Sequence, residues 1–135
     1  MAFLQLQFHS DALMVQVSVN VILPERATTM IGMDANGEST FKTLYLLHGL
    51  SDDHSIWMRR TAIERYASEY NIAVVMPAVG RSWYTDTVGG EKYLTFVTGG
   101  TMTALQGEIT KIAAYSGSDT IVKTDIDAVT EPVLD

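Results

Sequence analysis

Two short apolar runs, separated by a helical pattern, restrict what this chain can fold into more than any other feature. The runs are FKTLYLL at 41–47 and NIAVVMP at 71–77, and both are continuous rather than alternating. Continuous runs of this length are typical of parallel strands buried on both faces. Between them, apolar residues recur at the helical spacing i, i+3, i+4 and i+7, at Ile63, Tyr66, Ala67 and Tyr70. The pattern predicts a βαβ unit with a right-handed crossover, whose helix stops at Asn71.

The first 24 residues follow a different pattern, in which apolar and polar residues alternate. FLQLQFHS is followed by MVQVSVNVILP, where the valines at alternate positions predict one buried face and Gln16, Ser18 and Asn20 an opposite polar face. Pro24 closes the second run. We expect the two runs to pair as an antiparallel hairpin that turns through His9-Ser10-Asp11.

The totals exclude several classes of protein. The 135 residues, 47 % of them apolar, suffice for one domain with a core. A net charge of −7 disfavours nucleic acid as a partner. Without cysteine there is neither a disulfide framework nor a thiolate metal site. The N-terminus has no leader-like pattern and no apolar run approaches a membrane span, so we expect a cytoplasmic protein without a membrane partner.

The first apolar run ends abruptly at His48-Gly49-Leu50. A strand that ends in glycine turns tightly and exposes backbone N–H groups, and two such donors aimed at a developing oxyanion form the oxyanion hole of acyl transfer. Taken alone, the motif favours a simpler interpretation, in which glycine ends a strand beside a structural histidine.

Several motifs in order carry a family resemblance. YLLHGLSDDHSIWMRRTAIERY, IAVVMP and SWYTDT together resemble short-chain esterases of the esterase D type, in particular bacterial tributyrin esterases, and VSVNVILPE is similar to their early strand. The resemblance covers residues 1–94. It implies an α/β-hydrolase fold, no cofactor and the cleavage of short acyl esters, with S-formylglutathione as a substrate of some relatives.

The same resemblance assigns roles to individual residues. It implies that the backbone N–H of Leu50 is an oxyanion donor and that His48 and Gly49 shape the turn. It places Trp83 and Tyr84 in the acyl or alcohol pocket, and Trp57 as a packing residue near the site.

The family's catalytic triad has no counterpart in this chain. No G-x-S-x-G elbow occurs, and its nearest imitation at 114–118 follows a predicted helix rather than a strand, so Ser116 and Ser118 are read as helix-end residues. No histidine follows His54, and His54 has no assigned serine partner. The catalytic acid is also absent, since Asp86 comes too early and reads as a loop hydrogen-bonding residue. The prediction is an inactive relative of carboxylic ester hydrolases.

Asp52-Asp53-His54 could be drawn as a set of metal ligands. Adjacent loop residues rarely face one ion together, and no second ligand pair occurs at a recognisable spacing. We therefore predict no metal site, and expect Asp52 or Asp53 to be a helix N-cap instead.

The C-terminal part has its own pattern. Residues 101–117 and 124–131 predict two capped amphipathic helices. Residues 97–135 resemble the helical lid region of the delta subunit of the DNA polymerase III clamp loader, which implies a packing role without catalysis. The expected organisation is an esterase-like segment at 1–94 and a helical segment at 95–135 packed on it, as in a chimera or fusion.

The predicted fold class is therefore α/β, as a partial α/β-hydrolase with an antiparallel N-terminal hairpin and a βαβ unit, followed by two helices. A short-chain acyl ester is the expected ligand. The alternative is a folded interaction module that forms homo-oligomers through apolar surface left uncovered by the absent nucleophile strand. A clamp-loader piece that acts in DNA replication is disfavoured by the acidic tail.

Overall fold

A computed structural model describes residues 1–25 and 41–99 of the chain. The elements in order are β1 Ala2–Ser10, β2 Val15–Leu23, β3 Lys42–Tyr45, α1 Ile56–Arg60, α2 Ile63–Tyr70, β4 Ile72–Pro77 and α3 Tyr93–Thr98. The strands form one sheet in the order β1-β2-β4-β3. β1 pairs with β2 and β2 with β4 in antiparallel fashion, whereas β3 and β4 are parallel. The N-terminal hairpin and the βαβ unit are therefore both present, as predicted.

The hairpin turn lies further along the chain than expected. The ladder continues to the pair Ser10–Val15, so the turn occupies residues 11–14 and the predicted turn at His9-Ser10-Asp11 is wrong. The Ser10 hydroxyl accepts a hydrogen bond from the Leu13 N–H at 3.3 Å, and Met14 takes a positive φ of 54°. A serine that satisfies a turn N–H and a residue in the left-handed region are what close this turn.

β2 departs from the predicted half-buried pattern along its second half. From Val19 to Leu23 every residue is buried, including Asn20, which is 2 % exposed. The reason is that β2 lies between β1 and β4, and that α2 packs on Ile22 while the loop at His54 contacts Asn20 on the face that the alternation marks as polar. The predicted exposure of Asn20 is therefore wrong.

The strands formed by the two continuous apolar runs, β3 and β4, differ in how deeply their residues are buried. β4 is buried along nearly its whole length, as predicted. β3 alternates between exposed and half-buried residues, and Leu44 is 39 % exposed. β3 is the edge strand of the sheet formed by residues 1–25 and 41–99, so the prediction that it is buried on both faces is wrong for this part of the chain.

Two helices fill the crossover where one was expected. Thr61, in extended conformation, separates α1 from α2, and its hydroxyl donates to the Trp57 carbonyl at 2.5 Å. α2 ends as predicted at Asn71, whose φ of 49° is left-handed. Its buried residues are Ala67 and Ser68, whereas the predicted stripe members Tyr66 and Tyr70 are exposed.

Apolar side chains pack on both faces of the sheet. One cluster joins alternate residues of β2 and β4 to Phe96 of α3, and the other packs Ile22, Val74 and Met76 against Ala67 of α2. α3 runs across the predicted boundary between residues 94 and 95. Phe96, which lies beyond that boundary, is fully buried and belongs to the core of the preceding segment. The boundary itself stays a prediction.

The predicted helices at 101–117 and 124–131 lie outside the described residues. Among the described residues, no helix is long and apolar enough to cross a membrane.

Candidate functional site

His48 lies where the chain leaves β3. The Leu46 N–H still donates to the Val75 carbonyl of β4, at 2.9 Å, and two residues later the imidazole of His48 is 4 % exposed. Its Nε2 accepts a hydrogen bond from the Val79 N–H at 3.0 Å. Because Nε2 accepts, the ring proton sits on Nδ1, which lies 2.7 Å from the Gly49 carbonyl and donates to it. A neutral imidazole thus ties the loop after β3 to the segment after β4.

Side chains hold the two carbonyls that precede the glycine. The Tyr84 hydroxyl donates to the His48 carbonyl at 2.5 Å, and the Trp57 indole N–H donates to the Leu47 carbonyl at 3.1 Å. Burial raises the pKa of Tyr84, only partly opposed by the hydrogen bond to His48, so the phenol stays protonated and remains a donor at neutral pH. The orientation of these two peptide groups is therefore fixed by aromatic side chains from elsewhere in the chain.

Several backbone N–H groups of the turn that follows have no hydrogen-bond partner among the described residues, that of Leu50 among them. The Gly49 carbonyl accepts from the Asp52 N–H at 3.2 Å, and a Cβ at Gly49 would lie 3.2 Å from the Asp52 carboxylate. Leu50 is 39 % exposed. Within residues 1–25 and 41–99 no group accepts a hydrogen bond from its N–H. A side chain at position 49 crowds the turn, which is a physical reason for glycine there.

Trp83 and Tyr84 share an uncommon backbone conformation. Their φ values are 55° and 56°, in the left-handed region that bulky residues rarely adopt. The Tyr84 N–H donates to the Ser82 hydroxyl oxygen at 3.2 Å, and Trp83 is 73 % exposed. Two consecutive strained residues cluster typically at functional sites, where the surrounding structure holds them in place. The strain turns Tyr84 inward to His48 and leaves the Trp83 indole outside.

The predicted cap is displaced by two residues. The N-cap of α1 is Ser55, and Asp53 accepts hydrogen bonds from its N–H at 2.9 Å and its hydroxyl at 2.5 Å. These bonds lower the pKa of Asp53, the hydroxyl contributing most. Asp52 instead lies 4.0 Å from Arg60. The prediction of an aspartate N-cap is therefore wrong in its position, because Asp53 closes a turn before the helix begins.

Asp86 is the loop hydrogen-bonding residue that its sequence context indicates. Its carboxylate accepts from the Thr95 N–H at 3.0 Å and from the Thr95 hydroxyl at 2.6 Å. The two bonds lower the pKa of Asp86, and they attach the loop after β4 to α3.

Within the described parts of the chain, no hydrogen bond joins the His54 imidazole to a serine hydroxyl. Its backbone carbonyl accepts from the Asn20 side-chain amide at 3.1 Å. Over the two described stretches, no three residues of the metal-ligating types come together. Neither this contact nor the Val79–His48 bond was visible in the sequence, since both join residues more than 30 positions apart.

The chain is similar in sequence to a known esterase. An acetyl esterase of Caldicellulosiruptor saccharolyticus is 33 % identical over 94 residues, which are 69 % of this chain and 35 % of that protein. The N-terminal region resembles the esterases and serine hydrolases. No protein-family model matches the chain. The chain spans about a third of the length of that curated relative.

Solved structures agree with this relationship. The serine hydrolase FphF of Staphylococcus aureus is 33 % identical with a TM-score of 0.62, covering 82 % of this chain and 41 % of its own. The S-formylglutathione hydrolase FrmB of the same organism is 37 % identical with a TM-score of 0.55, covering 71 % and 37 %. A ferulic acid esterase, 20 % identical, has a TM-score of 0.64 over 81 % and 43 %, a likeness of fold alone. A partial α/β-hydrolase fold fits these neighbours.

The comparisons do not support the other predicted resemblance. Nothing in them relates residues 97–135 to the clamp-loader delta subunit, and they give no support to a chimera.

Proposed function

We propose that this chain, as a relative of carboxylic ester hydrolases, binds short acyl esters at the turn His48–Leu50 without hydrolysing them. The observation that carries the proposal is the Leu50 N–H, which has no hydrogen-bond partner among the described residues, in a turn that the His48 imidazole and the Tyr84 phenol hold. A fixed donor of this kind suits an ester carbonyl oxygen, because no reorganisation is needed when the oxygen arrives. Trp83 and Tyr84 flank the bound ester in this proposal.

The described site offers no base that could deprotonate a nucleophile, so we expect no turnover. Both ring nitrogens of His48 are engaged with backbone groups, so His48 has no free lone pair with which to deprotonate a nucleophile. The Ser82 hydroxyl oxygen faces a backbone N–H in its own turn. The sequence contains no G-x-S-x-G. A donor with no activated serine supports binding and no acyl transfer.

The backbone donor can be tested with a substitution that removes its hydrogen, paired with one that keeps it. In the full chain labelled with ¹⁵N, methyl butyrate is expected to shift the Leu50 amide resonance saturably. Leu50→Pro removes the N–H and is expected to abolish binding, whereas the matched control Leu50→Ala keeps the N–H and binding. Loss of binding in Leu50→Ala alone, with a folded Leu50→Pro that still binds, would contradict the role of the backbone donor.

Self-association is a second candidate function, favoured by the edge position of β3. Leu44 and Leu47, on and just after β3, are 39 % and 36 % exposed, and an accessible apolar edge is a template for pairing with another chain. Sedimentation equilibrium of the full chain is expected to give a mass that rises with concentration. Leu44→Glu is expected to suppress that rise, whereas Leu94→Glu, at an exposed position of α3, is not. A constant monomer mass across concentrations would exclude this candidate.

A further inference from the structure

A polar cleft that shares no lining residue with the proposed ester site is used by neither of the proposed functions. It has a volume of about 370 Å³ and is lined by Gln5, Leu6, Gln7, Ser18, Asn20 and His54. Gln5 faces Asn20 and Gln7 faces Ser18 across the β1–β2 ladder, so four polar side chains form a compact square on one face of the sheet. The loop before α1 places His54 beside it.

Two residues that line this cleft each have a buried atom without a hydrogen-bond partner in the described parts of the chain. Asn20 is 2 % exposed, and because its Nδ2 donates to the His54 carbonyl, its Oδ1 is left without a donor. The Nδ1 of His54 is also buried and unpartnered within the described parts of the chain. A buried polar atom without a partner costs roughly 1–3 kcal/mol, so a group that satisfies both atoms gains affinity by removing that cost.

The side chains that line the cleft determine which functional groups a ligand must have. Oδ1 accepts only, so the ligand must donate at least one hydrogen bond. Around it lie amides and a hydroxyl, which both donate and accept, and none of the Gln, Ser, Asn or Leu side chains carries a charge. Hydroxyl groups match such a surface, since each donates and accepts at once, and no Asp, Glu, Lys or Arg side chain lines the cleft to pair with a charged ligand. The volume is in the range of sites for small molecules, at roughly the lower limit of 300 Å³.

We propose that this cleft binds a neutral polyhydroxylated ligand of about one sugar ring, with one hydroxyl donating to Asn20 Oδ1 and another group satisfying His54 Nδ1. Gln5 and Gln7 at the mouth bind the remaining hydroxyls. The site is separate from the proposed ester-binding turn, and it stands whether or not the chain binds an ester.

The test is a titration of the ¹⁵N-labelled full chain with D-glucose, observed at the side-chain amide of Asn20 and the backbone amide of His54. Saturable shifts at both are expected. His54→Phe keeps a ring of similar shape and removes Nδ1, and it is expected to weaken binding about fivefold to tenfold, as for one lost hydrogen bond. Gln7→Ala, at an exposed position, is expected to weaken binding without affecting folding. The matched control is Gln16→Ala, at an exposed position of β2 outside the cleft, which is expected to leave binding unchanged.

Three results would overturn the proposal. No saturable shift in a cooperatively folded chain would mean that solvent alone occupies the cleft. Equal binding by wild type and the Gln7→Ala and His54→Phe variants would place the sugar elsewhere. Tighter binding of acetamide than of glucose would assign the cleft to a primary amide instead. If His54→Phe does not fold, Gln7→Ala against Gln16→Ala decides alone.

Discussion

His48 is a bridging residue in this molecule, with one ring nitrogen accepting from Val79 and the other donating to Gly49. The motif allowed two interpretations, a structural histidine and a residue that shapes an oxyanion turn. The geometry is compatible with both, because the bonds that make His48 structural are those that fix the turn before Leu50.

Replacing His48 by leucine is expected to lower the free energy of unfolding by about 1–3 kcal/mol, because the Val79 N–H is then buried without a partner. Urea denaturation measures this. His9→Leu, at an exposed strand position, is the control and is expected to change stability by less than about 0.5 kcal/mol. Equal effects of the two substitutions would show that the bridge does not hold the loop.

Tyr84→Phe removes only the hydroxyl that donates to the His48 carbonyl. The expected loss of stability is about 1 kcal/mol, the net value of one such hydrogen bond. The Leu50 amide resonance is expected to move in the same variant, since the peptide group before the turn is released. Tyr70→Phe, at a position 75 % exposed, is the matched control. An unchanged Leu50 resonance would separate Tyr84 from the geometry of the turn.

Asp86 gives the fold a dependence on acid. Its pKa is lowered in the folded state by Thr95, so its contribution to stability is present above the unfolded pKa of about 3.9 and is lost as pH falls through the lower folded pKa. Asp86→Asn is therefore expected to destabilise the chain at pH 7 and to have little effect at about pH 2. Thermal melts at both pH values measure the difference, and an equal effect at both would contradict the assignment.

At the scale of elements, α3 is the least expected part of the fold. Phe96 is fully buried against β2 and β4, although it lies just beyond the predicted boundary of the esterase-like segment. Phe96→Ala is expected to cost about 3–5 kcal/mol by leaving a cavity. Leu94→Ala, at a position 49 % exposed on the same helix, is expected to cost less than about 1 kcal/mol. Chemical denaturation with similar losses for both would remove α3 from the core.

Sequence patterns predicted the hairpin, β4 and the stop at Asn71, because alternation, a continuous apolar run and a residue tolerant of positive φ are local signals. They misjudged β3 and Asn20, because burial depends on which strands are neighbours. They placed Ala67 correctly on the buried face of α2, but they also assigned to it Tyr66 and Tyr70, which are exposed. Its contact with the sheet uses the small residues Ala67 and Ser68, which allow close approach, rather than its tyrosines.

The candidate site was only partly accessible to the same reasoning. Of the residues assigned by resemblance, Tyr84 contacts the carbonyl of His48 directly, whereas Trp83 is 73 % exposed. The left-handed conformations of Trp83 and Tyr84 carried no signal, because neither is glycine or asparagine. Their roles in binding an ester stay predictions.

For the molecule as a whole, the described sheet has the turn His48–Leu50 after β3 and apolar clusters on both faces, in a chain that spans about a third of its curated relative. We propose that this chain folds and orders that turn while no serine in it is activated as a nucleophile.

The most direct test is intact-mass spectrometry of the full chain after treatment with a fluorophosphonate, with the heat-denatured chain as control and a cooperative melt as proof of folding. No adduct is expected on the folded chain. A single adduct on the folded chain only, mapped to one serine such as Ser51, Ser116 or Ser118, would show an activated nucleophile and rule out the proposal that none is present.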